Sequence, residues 1–280
     1  MQASTQYSGK VVLVTGGTRG IGRGIALAFL AQGATVIVCG RHAPPEAITS
    51  GASEAVFFRA DVRDTEQMAD LCASIALRFG RLDVLINNAG GSPQVAAADA
   101  SPRFSAAIIN LNLIAPLNLA QSAHALMDLQ DEGGVIVFIG SVSALRPSPG
   151  TAAYGAAKAG VLNLVRSLAV EWAPKVRVVA VSPGMVLTEE SHQHYGDADG
   201  LAAVGATIPM GRLAQPDEIA TACLFMASGA AAYATGNNLV LDGGGERPAF
   251  LAAAATVTNG VGRKSGAVKR GLQVAGDLPA

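Results

Sequence analysis

The stretch TAAYGAAKAG, residues 151–160, sets a tyrosine and a lysine four positions apart among alanines and glycines. On a helix that spacing stacks Tyr154 and Lys158 on one face, within reach of each other. Of the four tyrosines in the chain, only Tyr154 has a lysine four residues on. The chemistry open to such a pair is proton transfer. A free phenol has a pKa of about 10 and gives up its proton reluctantly at neutral pH, whereas a nearby ammonium favours the phenolate. Lowering a phenol by roughly three units corresponds to about 4 kcal/mol of differential stabilisation. The spacing alone is not specific, so the elements around it must supply the rest.

A second group of residues could hold phosphate. The segment TGGTRGIGRG places Gly16, Gly20 and Gly22 in the spacing G-x-x-x-G-x-G directly after a first apolar strand. Without side chains there, backbone can approach a pyrophosphate, and the N-terminus of the following helix attracts its charge. An ordinary tight turn would also use glycines; the position after strand one favours the nucleotide. The second strand ends VIVCGR, where a site for NAD carries a carboxylate for the ribose hydroxyls. Here Gly40 and Arg41 stand instead, and Arg19 lies inside the glycine turn. Two guanidinium forks suit a 2′-phosphate, so the expected cofactor is NADP, NADPH by preference, with NAD still possible. The alternative is that both arginines are solvated surface groups.

Positioning these residues requires a scaffold, and the chain supplies one. Short β-rich runs (KVVLVT, ATVIVCG, AVFFRA, LDVLINN, GVIVFIGS, VRVVAVS and NLVLDGG) alternate with alanine- and leucine-rich helical stretches. Seven strands, most apolar on both faces, predict an α/β fold: a single-domain, Rossmann-like, doubly wound parallel sheet with helices on both faces. Residues 188–211 break the alternation and are expected to form a lid or small helical insert. The catalytic domain is expected to span 1–245, with 246–280 an appended tail.

Composition narrows the function. Half of the 280 residues are hydrophobic, 15% are charged and the net charge is −1, which argues for a large core and against a nucleic-acid surface. Cys39, Cys72 and Cys223 are far apart and odd in number, as expected of buried thiols in a reducing compartment. With no leader pattern and no uncharged apolar run of membrane-spanning length, the expectation is a cytoplasmic protein without a membrane partner.

Taken together, these motifs resemble the short-chain dehydrogenase/reductase family, of the 3-oxoacyl reductase-like core type, over roughly residues 8 to 245. TGGTRGIG matches its cofactor turn (Gly16, Thr18, Arg19, Gly20, Ile21, Gly22), NNAG its fourth strand, SV at 141–142 its serine element, YGAAK its active-site helix and SPGMVLT its nicotinamide segment. The resemblance implies a ketone–alcohol oxidoreductase in which Tyr154 is the general acid and base. Lys158 would hold the nicotinamide ribose and shift the tyrosine, and Ser141, thirteen residues before Tyr154, would hydrogen-bond the substrate oxygen. Asn112 matches the fourth catalytic position. Pro116 has no N–H, so a helical Asn112 loses its i+4 partner and its carbonyl could hold a relay water. Asp61, Val62, Asn88, Ala89 and Gly90 would line the adenosine half, and Pro183, Gly184, Val186 and Thr188 the nicotinamide. Structural roles are open for some: Asp61 as a helix cap near Asp64, and the two asparagines of NNAG, Asn87 and Asn88, as satisfiers of strand-end backbone.

Other groups carry less. His192-x-His194 beside Glu189 and Glu190 lacks a further ligand set, so no metal is expected and a polar lid is preferred. His42 and His124 are expected on surfaces. GSVSA is not a serine-hydrolase elbow. The helix near 152–172 is apolar on more than one face, which predicts a homo-oligomer; the family implies a tetramer. The expected partner is otherwise a small carbonyl or alcohol substrate. The rivals are an NAD-preferring alcohol or steroid dehydrogenase and a catalytically silent nucleotide-binding regulator.

Overall fold

The central strands are mostly runs of β-branched and aliphatic residues, which require cover on both faces. The computed structural model describes residues 6–250 and shows that cover. In chain order the elements are β1 (Val11–Thr15), α1 (Gly20–Ala31), β2 (Thr35–Gly40), β3 (Thr49–Ser50), β4 (Ser53–Glu54), β5 (Val56–Arg59), α2 (Thr65–Phe79), β6 (Val84–Asn87) and α3 (Pro102–Ile109). A π turn (Asn110–Ile114) leads into α4 (Ala115–Met127), β7 (Gly134–Ile139), α5 (Ala152–Trp172) and β8 (Val176–Pro183). Then come α6 (Ser191–Tyr195), α7 (Ala198–Thr207), α8 (Pro216–Ala227) and β9 (Asn238–Leu241).

Seven strands form one parallel sheet in the order β5-β2-β1-β6-β7-β8-β9. Alternation along each strand sends successive side chains to opposite layers. Leu13, Ile37, Leu85 and Phe138 pack with Leu71, Leu119, Val161 and Val165 of α2, α4 and α5. Val12, Val14, Val36 and Ile86 pack on the other face with Ile25, Phe29, Ile219 and Cys223 of α1 and α8. Strand order reverses between β1 and β6, so the crevice for a ligand opens at the carboxyl ends of these strands.

Three local features depart from the sequence reading. A two-stranded hairpin, β3–β4, precedes β5; its two-residue polar strands leave no apolar signature. Helix α2 is capped by Asp64, whose carboxylate accepts from Glu66 N and Gln67 N at 3.1 Å, so Asp61 is not the cap. The segment Pro102–Met127 runs on as one 26-residue helix, with mean hydropathy of 1.2 long and apolar enough to cross a bilayer, where no such run was expected. Pro116 sits in the first turn of α4, where its missing N–H is tolerated, and the helix widens into the π turn instead of stopping. Leu119, Ala120, Ala123 and Met127 of that helix lie in the core under the sheet.

The chain divides into two units, Met1–Gly245 and Glu246–Ala280. Of the second, which is the expected tail, all but 246–250 lies outside the described residues.

Candidate active site

Tyr154 stands in the first turn of α5, half-buried, and Lys158 follows one turn later, buried. The Lys158 Nζ lies 5.6 Å from the Tyr154 ring centroid and donates to the Ile139 carbonyl at 2.7 Å. Ser141 follows the end of β7. Its hydroxyl accepts from Ser143 N at 3.1 Å and hydrogen-bonds the Tyr154 phenol. The four-residue spacing thus does put phenol and ammonium on one face, and the sheet end delivers the serine to them.

The electrostatics differ from the sequence expectation. Burial pushes the Tyr154 phenol above its ordinary value, and the Ser141 hydrogen bond only partly opposes this. Burial also brings Lys158 down to about 8. Desolvation disfavours both ionised forms, and the ammonium has no carboxylate within salt-bridge distance among the described residues. In the chain alone the tyrosine is therefore a held proton, ready to be given.

The depressed lysine makes a pH prediction with a definite sign. Below about pH 8 Lys158 is charged in both folded and unfolded chains, and the full penalty of burying that charge applies. Between about 8 and the ordinary value of 10.5 only the unfolded chain keeps the proton, so the unfolded state binds more protons and stability rises with pH. Denaturant unfolding of wild type and Lys158→Met from pH 7.5 to 10 should show wild type gaining relative to the variant. A flat difference would mean that this lysine titrates normally.

Asn112 sits in the middle of the π turn, fully buried. Its side-chain oxygen accepts from Gly91 N at 2.9 Å, and its amide donates to the Gly91 and Ile108 carbonyls, both at 2.9 Å. Alone among the catalytic candidates it does not line the cleft described below; it clamps Gly90–Gly91 from beneath. A Cβ on Gly90 would stand 2.6 Å from the Asn112 Oδ1 and 3.6 Å from the Lys158 Nζ, so Asn112, Gly90 and Lys158 meet at one point. Asn87, at the end of β6, braces the same helix: its amide donates to the Pro116 carbonyl at 3.1 Å.

Beyond Tyr154 a cleft of about 780 Å³ runs along the carboxyl ends of the strands. The glycine turn, Arg41, Asp61, Val62, the Asn88–Gly90 stretch, Ser141, Lys158, Pro183, Gly184, Val186 and Thr188 all line it. A dinucleotide fits the construction of its floor. A Cβ on Gly22 would fall 2.2 Å from the Gly16 carbonyl oxygen, so only glycine allows the turn to fold this tightly against α1. The Arg19 side chain makes no cap hydrogen bond at the start of that helix, leaving N–H groups to meet an anion. Asn88 pins the turn from the side, donating to Thr15 O at 2.8 Å and Gly16 O at 3.2 Å. Arg41 is exposed at the cleft edge, while the Asp61 carboxylate is engaged by Arg63, whose hydrogen bonds hold it below its ordinary value.

Residues 188–211 fold as two short helices, α6 and α7, beside the cleft. They bring Glu190, His194 and Tyr195 into its lining; the first two belong to the polar lid read from the sequence, and Tyr195 is the one that reading did not name. Tyr195 lies close enough to Tyr154 to oppose its ionisation. Arg146, exposed, faces Tyr195. His192 Nδ1 contacts the Glu189 carbonyl at 3.0 Å, and among the described residues no group of three or more His, Cys, Asp or Glu could hold a metal ion. His124, expected on a surface, is half-buried and stacks on Trp172 with centroids 4.4 Å apart. The three cysteines are buried and free, with burial raising every thiol.

Fold and site together define a dinucleotide-dependent oxidoreductase of the doubly wound α/β class. The model of the enoyl-(acyl carrier protein) reductase family matches residues 16–246. L-Rhamnose 1-dehydrogenase (NAD(P)(+)) of Azotobacter vinelandii is 34% identical over 84% of this chain and 96% of its own. The 3-oxoacyl-[acyl-carrier-protein] reductase FabG of Thermotoga maritima is 34% identical over 85% of this chain and 98% of its own. The ligand-free aldohexose dehydrogenase (AldT) of Thermoplasma acidophilum superposes with a TM-score of 0.80 at 31% identity, covering 86% of this chain and 95% of that one. The chain belongs to the short-chain dehydrogenase/reductase family, NAD(P)-dependent oxidoreductases that act on CH–OH and carbonyl groups.

Proposed function

We propose that the protein reduces a ketone to a secondary alcohol with NADPH, and runs the reverse oxidation, through Ser141, Tyr154, Lys158 and Asn112. The observation that carries this reading is the convergence of a protonated Tyr154, hydrogen-bonded to Ser141, with Lys158 one turn away at the end of the cleft. When bound, the nicotinamide supplies or accepts the hydride. Ser141 holds the substrate oxygen and Tyr154 gives it a proton as charge develops. Raised by burial, the phenol is in the acid form that reduction needs at neutral pH. Lys158 holds the ribose and replenishes the proton, and Asn112 fixes the Gly90–Gly91 backbone against which Lys158 lies.

Preference for NADPH rests on Arg19 and Arg41 at the cleft edge and on the absence of a carboxylate at Gly40. Calorimetric titration with NADPH and NADH should give at least a tenfold lower Kd for NADPH. Equal or tighter NADH binding would reverse the assignment. Loss of absorbance at 340 nm with a panel of ketones, sugars and 3-oxoacyl thioesters tests the reaction itself, and no turnover with any of them would favour a silent binder. A hydroxylated substrate is favoured by Tyr195 and His194 beside the cleft end, and two of the relatives act on sugars.

The free, buried cysteines suit a reducing, cytoplasmic setting. Exposed Val170 on α5 and Leu129 just past α4 suit a tetramer built on those helices. Light scattering should report four chains, and a monomer at micromolar concentration would exclude that assembly.

A further inference from the structure

Two acidic side chains meet the glycine turn from the far end of the sequence. The Gly20 N–H, first of helix α1, donates to the Glu189 Oε2 at 3.1 Å, and the Arg19 guanidinium pairs with the Glu190 carboxylate. Neither contact is a chance of a loose loop, because the residues between Val186 and Ser191 are tied down. The buried Ser191 hydroxyl donates to Val186 O at 3.1 Å and accepts from Thr188 N at 2.7 Å, and so presents both glutamates to the turn.

The groups they engage are the ones a dinucleotide needs. A helix-terminal N–H at the glycine turn is where a pyrophosphate oxygen binds, and Arg19 is a partner for a 2′-phosphate. The geometry points to Glu189 and Glu190 as internal stand-ins for the cofactor's phosphates: the cofactor displaces them on binding, and Glu190, by competing for Arg19, sets how strongly the 2′-phosphate is selected. The inference rests on the cleft being the NADP(H) site. A carboxylate in a charge-assisted bond to the turn lowers apparent affinity by the population that must first open. The Arg19–Glu190 pair is 67% and 41% exposed, so its competition is modest, about threefold.

The test uses Glu189→Ala and Glu190→Ala in the full chain. Calorimetric titration should show Glu189→Ala binding both NADPH and NADH about threefold more tightly, because both carry the pyrophosphate. Glu190→Ala should tighten NADPH by a similar factor and NADH by less. Without any cofactor, hydrogen–deuterium exchange at residues 187–195 should accelerate in the double variant. Unchanged exchange, or dinucleotide affinities equal to or weaker than wild type, would overturn the stand-in role while leaving the cofactor assignment intact. Failure of wild type and double variant alike to bind either dinucleotide would instead remove the cofactor assignment on which the inference stands.

Discussion

Replacing Tyr154 by phenylalanine is expected to lower kcat for carbonyl reduction by about 10²–10⁴-fold, the span that a positioned general acid contributes. The ring is retained, so the packing of the first turn of α5 and the approach of Lys158, 5.6 Å from the ring centroid, should survive. What disappears is the phenol hydroxyl hydrogen-bonded to Ser141. Dinucleotide Kd should then stay within about twofold of wild type, since no side-chain charge is removed from the cleft. Stopped-flow reduction under single-turnover conditions measures the chemical step directly. A Tyr154→Phe enzyme with wild-type kcat would show that the proton comes from elsewhere, and Tyr195, close enough to oppose the ionisation of Tyr154, would be the next residue to change.

The second large effect is expected at Asn112, and here stability and activity should fall together. A leucine of similar size removes one buried and two part-buried hydrogen bonds and leaves the N–H and C=O of Gly91 and the carbonyl of Ile108 to find new partners. Each buried polar group left unmet costs about 1–3 kcal/mol, so Asn112→Leu should lose several kcal/mol even if some backbone relaxes toward water. From sequence alone the same change would be expected to leave the fold intact, because the argument there concerned only the main-chain carbonyl. With the Gly90–Gly91 clamp gone, the backbone beside the Lys158 Nζ is free to move, and kcat/KM should drop by tenfold or more. Denaturant unfolding together with steady-state kinetics checks both halves. Wild-type stability would refute the clamp, and wild-type turnover in a correctly folded Asn112→Leu would refute its part in catalysis.

Much of this site is legible in residue order. The glycine spacing fixes where the chain must turn between β1 and α1, since a Cβ on Gly22 has no room beside the Gly16 carbonyl. The separation of Tyr154 from Lys158 fixes that they share a helix face, and the apolar runs locate the seven strands of the sheet. Pro116 announces an irregular helix around Asn112, although not that the irregularity is a π turn or that the Asn112 side chain is wholly engaged. The β3–β4 hairpin is silent because two-residue polar strands carry no periodicity.

What the linear chain determined by itself is therefore local: strand positions follow from alternating and continuous apolarity, helix faces from a 3.6-residue period, and tight turns from missing side chains. Contacts such as Glu189 with Gly20, 169 residues apart, and Asn88 with Thr15, 73 apart, depend on which strands lie side by side. The direction of the tyrosine and lysine shifts belongs to the same class. A neighbour four residues away can be counted in the sequence, but the desolvation that raises the phenol and lowers the lysine comes from elements brought together only when the sheet and its two helical layers close.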